Sequence, residues 1–438
     1  MLKTYEETLN WIHSRLRFGI KPGLERMTYM MEKLGNPHLN VPVIHVAGTN
    51  GKGSTVSYMR SVLNEAGYQV GTFTSPYIES FNERISMNGV PFSTGDLIHL
   101  ANGVKRVAER AEAELGEHPT EFEIITAMAF LYFGSVQPPD YLLLETGLGG
   151  RLDSTNIAKP VLSVITNAGY DHMNILGSSI EEIAAEKAGI IKADTPVVTG
   201  VKAGKGLDQI RSKAEEMNAE LLVLGEDFRI GGIRSVAEGE EFNFSAPFKE
   251  WNGLSISMYG AHQIENAALA LMAVALLDHK GKACVTEPSI RRGLFKARWS
   301  GRYERMRSNP AIILDGAHNF EGAESLAETI ARHEKGKKVH MLFTALEDKE
   351  YEKMLQVLEK AVDTLYVTEF DFPRAASSER LLEAGSLKNE AAVKDWRTFL
   401  AEFPNRMNPD EVLVICGSLY FISQVRQFLS ENKKIDFR

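Results

Sequence analysis

A glycine-rich segment with one lysine, residues 48–55, carries the clearest chemical signal in this sequence. It follows the apolar run 44–47 and comes directly before a helix-favouring stretch. Glycines let backbone N–H groups turn toward a phosphate, the start of the following helix adds positive potential, and Lys52 supplies a full charge. The pattern therefore predicts a phosphate-binding loop. The alternative is an ordinary glycine-rich turn with a solvated lysine.

Two positions depart from the general phosphate-loop pattern G-x-x-x-x-G-K-[S/T]. Val46 stands where the first glycine belongs, and Gly53 stands where a hydroxyl would bind magnesium. A magnesium ion on a bound nucleotide would therefore need other protein ligands. The ends of neighbouring strands are the place to look for them.

Polar side chains follow strand-like apolar runs elsewhere in the chain. Residues 141–144 lead directly to Glu145, and residues 161–165 lead to a polar segment that contains His172. Ser75 follows another apolar stretch and could supply the hydroxyl that Gly53 lacks. Ligands bind outside the carboxyl ends of parallel strands, so Glu145 is the first candidate for a metal ligand. For His172 a structural role is the alternative.

Lys187 occupies an unusual place on a predicted helix. Ser179 and Glu182 are spaced as a capping box at the start of that helix, and an apolar stripe begins at Ile180. Lys187 comes seven residues after Ile180 and so falls on the same stripe. Either the amine is buried, which is rare for lysine, or the side chain lies along the surface with its amine in water.

Strands and helices in alternation must position these residues. The first strand-like runs are apolar, mostly β-branched and end in glycine-containing or polar turns: 41–46, 141–144, 161–165 and 195–198. Helical stretches at 55–65 and 179–192 separate them, a pattern typical of a buried parallel sheet. Residues 225–258 predict a small antiparallel insertion, and a helix is expected at 265–277.

The connector 293–302, rich in arginine and glycine and with one tryptophan, is the predicted domain boundary. Beyond it strand-like runs and helices alternate again, which indicates a second, smaller α/β unit. A length of 438 residues suits two domains. We expect them at 1–296 and 297–438.

Composition excludes several classes of protein. The content of 44% apolar and 24% charged residues is that of a soluble globular protein, and no apolar run is long enough to cross a bilayer. The formal charge of -9 and the pI near 5.8 disfavour nucleic acid or an anionic membrane as a partner. The N-terminus lacks the features of a signal peptide, and Cys284 and Cys416 lie far apart. We therefore expect the protein to work in a reducing cytoplasm.

Taken together, the motifs resemble those of the folylpolyglutamate synthase and dihydrofolate synthase family, within the larger Mur ligase group. They occur in family order and are highly specific as a set. Besides the phosphate loop, the matching segments are TSP at 74–76, FNERI at 81–85, ETGLGGRLD at 145–153, DH at 171–172, EKAGIIK at 186–192, GAHQ at 260–263 and DGAHN at 315–319. The departures are Tyr77, Ser300 and Phe320, where histidine, proline and proline are common in the family.

The resemblance implies an α/β protein in which a P-loop ATPase-type parallel-sheet domain is followed by a smaller Rossmann-like α/β domain. It implies an ATP-dependent ligase that joins L-glutamate to a folate-type carboxylate through an acyl phosphate, with release of ADP and phosphate. The implied partners are ATP, L-glutamate, a reduced folate or dihydropteroate, and one or two Mg²⁺ ions. The expected state is a monomer.

The same resemblance assigns roles to individual residues. It implies catalytic roles for Lys52, Lys187 (as a carbamate), Arg302 and His318. It implies ATP contacts by Thr49, Asn50, Gly51, Lys52, Gly53, Ser54, Asn266, Arg302 and Asp315. The implied magnesium ligands are Ser75, Glu145 and His172. The implied folate site is bordered by Phe81, Asn82, Glu83, Arg84, Phe122, Leu152 and Asp153.

Other functions compete with this one. The closest is a cell-wall Mur ligase that uses a nucleotide-sugar acid, although the Gly-Lys-Gly-Ser pattern and the Phe-Asn-Glu-Arg segment favour folate. A P-loop kinase or regulatory ATPase would lack the ligation step. A non-catalytic nucleotide-binding module would not need Glu145, His172 and Arg302 together.

Overall fold

The computed structural model describes residues 1–19, 21–385 and 390–432, which form two compact units. The first unit comprises Met1–Gly232, Phe242–Leu254 and Glu265–Ala297. The second unit comprises Ile233–Glu241, Ser255–Ile264 and Arg298–Arg438. The domain boundary expected after residue 296 stays a prediction.

A mostly parallel sheet is the centre of the first unit. Its strands are β1 Val43–Ala47, β2 Val70–Phe73, β3 Ile85–Met87, β4 Val90–Pro91, β5 Tyr141–Glu145, β6 Pro160–Ile165, β7 Val197–Thr199 and β8 Leu221–Val223. Counted within the described residues it has eight strands in the order β4-β3-β2-β5-β1-β6-β7-β8. Neighbours from β2 to β8 are parallel, and β3 and β4 are antiparallel at one edge. The strand that precedes the phosphate loop, β1, therefore has parallel neighbours on both sides.

Helices cover this sheet. They are α1 Tyr5–His13, α2 Glu25–Lys33, α3 Lys52–Glu65, α4 Thr94–Leu115, α5 Glu121–Leu131, α6 Met173–Leu176, α7 Ile180–Ala188, α8 Lys205–Glu216, α9 Ala261–His279 and α10 Glu287–Lys296. The predicted capping box of Ser179 and Glu182 is confirmed at the start of α7. Buried apolar side chains of α1, α2, α4 and α5 share one core with β2 and β5, among them Ile12, Met27, Leu100, Ile124, Phe73 and Leu142.

A three-stranded sheet follows β8, counted within the described residues. Its strands are β9 Arg229–Val236, β10 Gly239–Ala246 and β11 Lys249–Ile256, in the order β11-β10-β9. Only two residues separate consecutive strands, and connections this short join antiparallel strands. The predicted antiparallel insertion at 225–258 is confirmed.

The second unit has its own sheet. Its strands are β12 Glu304–Ser308, β13 Ala311–Leu314, β14 Val339–Phe343, β15 Thr364–Thr368, β16 Glu390–Val393 and β17 Val412–Cys416. Within the described residues the order is β12-β13-β17-β14-β15-β16, parallel except for β12. Its helices are α11 Phe320–His333, α12 Tyr351–Leu358, α13 Ser378–Ala384, α14 Trp396–Glu402 and α15 Leu419–Glu431. Separate apolar clusters bury the two faces of this sheet.

Several elements differ from the sequence-based expectation. The stretch from 66 to 140 holds β2–β4, α4 and α5, none of which was predicted. The helix expected at 179–192 ends at Ala188, with Gly189 as its C-cap. Position 189 requires glycine, because an added Cβ atom would lie 2.4 Å from Cα of Arg151. The first part of the predicted connector is the last turn of α10. None of the described helices combines the length and apolarity needed to cross a membrane.

Candidate active site

The carboxyl ends of β2, β5, β1 and β6 lie side by side. Val46 pairs with Glu145 of β5, and Ala47 pairs with Ile165 of β6. The phosphate loop that follows Ala47 therefore emerges between Glu145 on one side and the segment after Ile165 on the other. This arrangement brings together the strand ends that the sequence singled out separately.

The segment after β6 holds the phosphate loop in place. Asn167 accepts hydrogen bonds at Oδ1 from the backbone N–H groups of Thr49 and Asn50, at 3.0 and 2.9 Å. Thr166 Oγ1 donates to the carbonyl of Asn50 at 2.6 Å, and Thr49 Oγ1 donates to the carbonyl of Gly169 at 3.1 Å. The sequence did not single out Asn167 or Thr166 as site residues. Their only signal there was a position directly after a predicted strand.

Two positions of the phosphate loop require glycine because side chains from other elements approach them closely. At Gly51, φ is +83°, and an added Cβ would lie 2.2 Å from Oδ1 of Asn266. At Gly48, an added Cβ would lie 1.8 Å from Oγ1 of Thr166. Any side chain at these positions would collide with neighbours, and at Gly51 it would also strain the backbone. The same contact places Asn266 of α9 against the loop.

The first turn of α3 suits a polyphosphate. Lys52, its first residue, donates from Nζ to the carbonyls of Gly48 and Thr49 at 2.9 and 3.2 Å, so its charge lies over the loop. Ser54 Oγ and Thr55 Oγ1 are buried and have no hydrogen-bond partner among the described residues. Buried hydroxyls are normally paired, so a phosphate bound here would satisfy them.

The predicted metal ligands Ser75 and Glu145 are neighbours. The backbone N–H of Ser75 donates to Oε2 of Glu145 at 3.4 Å, and Glu145 is only 3% exposed. Thr146 Oγ1, next along the chain, is buried without a hydrogen-bond partner in the described part of the structure. Within that part, no group of three or more His, Cys, Asp or Glu side chains is arranged to hold a metal ion. One buried carboxylate with hydroxyls fits Mg²⁺, which usually takes few protein ligands and keeps its waters and phosphate oxygens.

His172 lies after β6 and caps α6 with φ of +51°. Its Nε2 is 3.9 Å from Oδ1 of Asp171, and its side chain is 41% exposed. An exposed imidazole beside a carboxylate can be oriented for ligand binding.

Lys187 is buried, which decides between the two alternatives that the helix pattern left open. Its side chain lies within the protein with 1% exposure. Burial, followed by the positive charge of Lys52, lowers the pKa of Lys187 to about 7, although Asp171 and Glu186 act in the opposite direction. A neutral amine is therefore available near neutral pH, and the four charged groups lie within electrostatic range of one another.

The segment 81–84 forms a 3-10 turn whose polar side chains mainly hold the chain in place. Glu83 accepts hydrogen bonds from the backbone N–H groups of Ile78, Glu79 and Ser80, the last at 2.7 Å. Asn82, which is buried, donates from Nδ2 to the carbonyl of Phe92 at 2.8 Å. These two predicted folate-site residues therefore fix the shape of the segment.

The ring side chains of this segment form a cluster. Phe81 and Tyr77 meet edge to face with ring centroids 6.0 Å apart. The guanidinium of Arg84 lies 5.2 Å from the centroid of Tyr77 and 5.7 Å from that of Phe81. Arg84 and Tyr77 are partly exposed, whereas Phe81 is only 2% exposed. A flat cation beside an aromatic ring suits a conjugated ring system that carries carboxylates.

Asp153 holds the loop that follows β5. Its Oδ2 accepts from the backbone N–H groups of Gly147 and Leu148, both at 2.9 Å, and Oδ1 accepts from the backbone N–H and Oγ1 of Thr155. Burial raises the pKa of Asp153, opposed by these hydrogen bonds. Phe122 packs over the loop, since a Cβ added to Gly147 would lie 2.6 Å from its ring. Leu152 is partly exposed beside Asp153.

In the second unit, Arg302, Asp315 and His318 lie in adjoining loops. Asp315 follows β13 and accepts hydrogen bonds from the backbone N–H groups of Tyr303 and Ala317, at 2.9 and 2.8 Å. A Cβ added to Gly316 would lie 2.1 Å from Nη1 of Arg302, and Nδ1 of His318 is 2.7 Å from the Gly316 carbonyl oxygen.

The charges in these loops are coupled. Burial raises the pKa of Asp315, and Arg302 opposes that shift. His262, which was not predicted as a site residue, is partly buried in the second unit. Burial and then Arg302 lower its pKa to about 4, so this imidazole is neutral at physiological pH.

Comparison with known proteins decides the family. The Mur ligase middle domain matches residues 46–274, and the Mur ligase glutamate ligase domain matches residues 301–419. The chain is 45% identical over 429 residues to dihydrofolate synthase/folylpolyglutamate synthase of Bacillus subtilis, covering 98% of this chain and 100% of that protein. This chain belongs to the folylpolyglutamate synthase and dihydrofolate synthase family.

Solved structures agree with the family assignment. Folylpolyglutamate synthase of Mycobacterium tuberculosis, complexed with ADP and AMPPCP, matches with a TM-score of 0.89 and 28% identity, covering 97% of this chain and 99% of that one. A folylpolyglutamate synthase complex with AMPPCP and folate matches with a TM-score of 0.85 and 32% identity, covering 98% and 100%. The predicted fold class and the predicted class of enzyme, an ATP-dependent ligase, are confirmed.

Replacing Lys52 by alanine should weaken nucleotide binding without unfolding the protein. The variant loses a charged donor at the phosphate loop, so we expect the Kd for AMPPCP to rise roughly ten- to a hundredfold, as for loss of a hydrogen bond from a charged group. Isothermal titration calorimetry measures this change. Lys105→Ala, which removes a partly exposed lysine that pairs with Glu109 on α4, is the matched control. An unchanged Kd in folded Lys52→Ala protein would contradict the assignment of the phosphate loop.

Proposed function

We propose that this chain joins L-glutamate to a folate-type carboxylate with hydrolysis of ATP to ADP and phosphate. The observation that carries the proposal is the phosphate loop held beside the buried carboxylate of Glu145, within electrostatic range of a buried amine, Lys187. The names of the Bacillus subtilis relative and of the folate-bound structure supply the substrate class. Dihydropteroate and tetrahydrofolate are both proposed as acceptors.

The chemistry requires activation of a carboxylate. A carboxylate oxygen of the folate-type substrate attacks the γ-phosphorus of ATP, and the bond from that phosphorus to the ADP oxygen breaks. The amine of L-glutamate then attacks the acyl carbon of the resulting acyl phosphate. Phosphate leaves with its bonding electron pair, the nitrogen loses a proton, and an amide remains. Catalysis therefore consists mainly of positioning the reactants and neutralising negative charge.

Nucleotide contacts are proposed for residues of each unit. The residues proposed to hold the phosphates in the first unit are Thr49, Asn50, Gly51, Lys52, Gly53, Ser54 and Asn266. In the second unit, the residues proposed to act on the nucleotide are Arg302, Asp315 and His318. Arg302 is proposed to stabilise charge that develops on the phosphoryl group, so it acts on turnover more than on ATP affinity. Exclusion of water protects the acyl phosphate from hydrolysis.

The residues proposed to hold Mg²⁺ are Ser75, Glu145 and His172. When bound, the ion neutralises phosphate charge that the protein cations leave uncompensated. Glu145 supports this proposal because it is a buried carboxylate at the strand end beside the phosphate loop, and the backbone N–H of Ser75 orients its Oε2. Its negative charge is suited to a cation.

We propose that Lys187 carries a carbamate. Its neutral amine attacks the carbon of carbon dioxide, a nitrogen–carbon bond forms, and the amine proton leaves to solvent. The product is a negative group near Lys52, where a second positive amine would be unfavourable. The carbamate would orient the groups around the metal and the phosphates.

We propose that the folate-type substrate binds next to two loops of the first unit, the segment 81–84 and the loop that follows β5. Phe81, Arg84, Phe122 and Leu152 are the residues proposed to contact it. Asn82, Glu83 and Asp153 belong to the same site by holding those loops. We further propose that the protein works in the cytoplasm as a monomer, in keeping with its acidic charge and its two unbonded cysteines.

The central test of the function is whether ATP hydrolysis depends on both other substrates. We expect ADP release only when L-glutamate and either dihydropteroate or tetrahydrofolate are present together, with a product heavier by one glutamyl unit in mass spectrometry. Hydrolysis that needs a nucleotide-sugar acid instead would indicate a cell-wall ligase. Hydrolysis that is independent of glutamate would indicate a kinase or regulatory ATPase.

Replacing Glu145 by glutamine should weaken the dependence on magnesium. The neutral amide is a poorer ligand for a hard divalent ion, so we expect the Mg²⁺ concentration for half-maximal turnover to rise about tenfold. Glu65→Gln is the matched control, since Glu65 pairs with Arg292 and Lys296 at the far end of α3. An identical magnesium titration in Glu145→Gln and parent protein would remove Glu145 from the metal site.

If Lys187 carries a carbamate, the protein should give an NMR signal whose intensity depends on pH. At constant carbon dioxide pressure, a ¹³C carbamate resonance should grow as pH rises through about 7, because the neutral fraction of Lys187 grows. It should be absent from Lys187→Ala and present in Lys202→Ala, a control at an exposed lysine paired with Glu265. Lys187→Ala should be nearly inactive and partly restored by acetate. Full activity without acetate would contradict the proposal.

A further inference from the structure

A chain of buried hydrogen bonds runs from β1 to the loop after Glu145. It starts at His45, two residues before the end of β1, whose Nε2 lies 2.9 Å from Oγ1 of Thr155. Oγ1 of Thr155 donates to Oδ1 of Asp153. Oδ2 of Asp153 in turn accepts from the backbone N–H groups of Gly147 and Leu148, at 2.9 Å each. His45 and Thr155 are completely inaccessible to solvent. No step of the proposed reaction uses either of them.

The proton positions in this chain follow from the number of donors and acceptors. Asp153 accepts hydrogen bonds from three backbone N–H groups, which favour its ionised form against the rise in pKa that burial causes. An ionised carboxylate can only accept, and its fourth hydrogen bond comes from Oγ1 of Thr155. The single hydroxyl proton of Thr155 therefore goes to Asp153. Oγ1 of Thr155 can then only accept from His45, so the ring proton is on Nε2.

The other ring nitrogen agrees with this tautomer. Nδ1 of His45 is buried and has no hydrogen-bond partner among the described residues, which suits a lone pair better than an N–H group. Burial and then the charge of Lys192 lower the pKa of His45 to about 3, so the ring is neutral across the physiological range. A neutral ring with a fixed proton can act as a permanent donor.

We propose that His45 is a positioning residue that, through Thr155 and Asp153, sets the place of the Gly147–Leu148 segment. That segment packs beneath the Phe122 ring, and so His45 determines how a folate-type substrate fits while leaving the nucleotide untouched. The proposal deepens, and rests on, the proposed function. The side chains of His45, Thr155 and Asp153 thereby connect the strand before the phosphate loop with the backbone of the loop after Glu145.

The first experiment compares His45→Leu with His45→Gln. Leucine removes the donor, whereas the glutamine amide can restore one. We expect the KM for dihydropteroate to rise about tenfold in His45→Leu, with the KM for ATP unchanged and most of the loss regained in His45→Gln. Ser163→Ala is the matched control, because Ser163 is equally buried beside His45 on β6 but donates to the Ile190 carbonyl at 3.1 Å.

A second experiment, on Thr155, tests the proposal even if His45→Leu does not fold. Thr155→Val keeps the shape of the side chain and loses the hydroxyl, while Thr155→Ser keeps the hydroxyl. Valine should raise the KM for dihydropteroate as leucine does at His45, and serine should not. Where His45→Leu folds, its rise in KM and that of Thr155→Val should not add in the double variant, because one chain of hydrogen bonds carries both effects.

The tautomer gives a readout that does not depend on activity. In ¹⁵N spectra of the parent protein the ring proton of His45 should reside on Nε2 and persist on lowering the pH to about 5, since the ring pKa is about 3. A proton on Nδ1, an unchanged KM in both His45→Leu and Thr155→Val, or a tenfold rise in the KM for ATP would overturn the proposal. A parent protein without glutamate-dependent turnover would instead overturn the proposed function and leave the tautomer result to decide the hydrogen-bond chain.

Discussion

The phosphate loop can present its backbone to an anion only if neighbouring strands hold it in one shape, and much of the first unit serves that constraint. Asn167 and Thr166 bind the loop from β6, and Asn266 lies against Gly51 from α9. A flexible loop would lose conformational freedom on each binding event, which costs affinity. A central position for β1, with parallel neighbours on both sides, is what allows support from more than one direction.

The position of the phosphate loop also brings Lys52 within electrostatic range of the buried amine of Lys187. Lys52 and Lys187 are both amines, and Lys52 lowers the pKa of Lys187, so two full positive charges are unfavourable there without a bound anion. Asp171 and Glu186 offset part of this effect. This pair of amines therefore favours negative charge nearby, whether as phosphate or as a modified lysine.

Local patterns predicted the parts of this site that depend on local chemistry. The phosphate loop and the strand that ends at Glu145 follow from glycine spacing and apolar runs, and helical periodicity placed Lys187 on the apolar stripe without deciding whether its amine is buried. The contacts of Asn167 with Thr49 and of His45 with Thr155 join residues more than a hundred positions apart, and no local pattern records them. The helix α5 was missed because it is apolar on nearly every face, so that a helical stripe does not stand out from its sequence. The helix α4 does have an apolar stripe at helical spacing, so its sequence carried a local signal that went unused.

Residues that shape a substrate site must be separated from residues that touch the substrate. Glu83 and Asp153 resemble ligand-binding carboxylates in the sequence, yet both accept hydrogen bonds from backbone N–H groups of their own loops. A ligand that took those lone pairs would leave the N–H groups unpaired, and that loss would offset the free energy of the hydrogen bonds that the ligand makes. Selectivity for a folate-type substrate then depends on the shapes of two loops and on Arg84 with its aromatic neighbours. Substitutions at the two carboxylates would accordingly alter substrate fit by moving backbone, and their effects would extend along the whole loop.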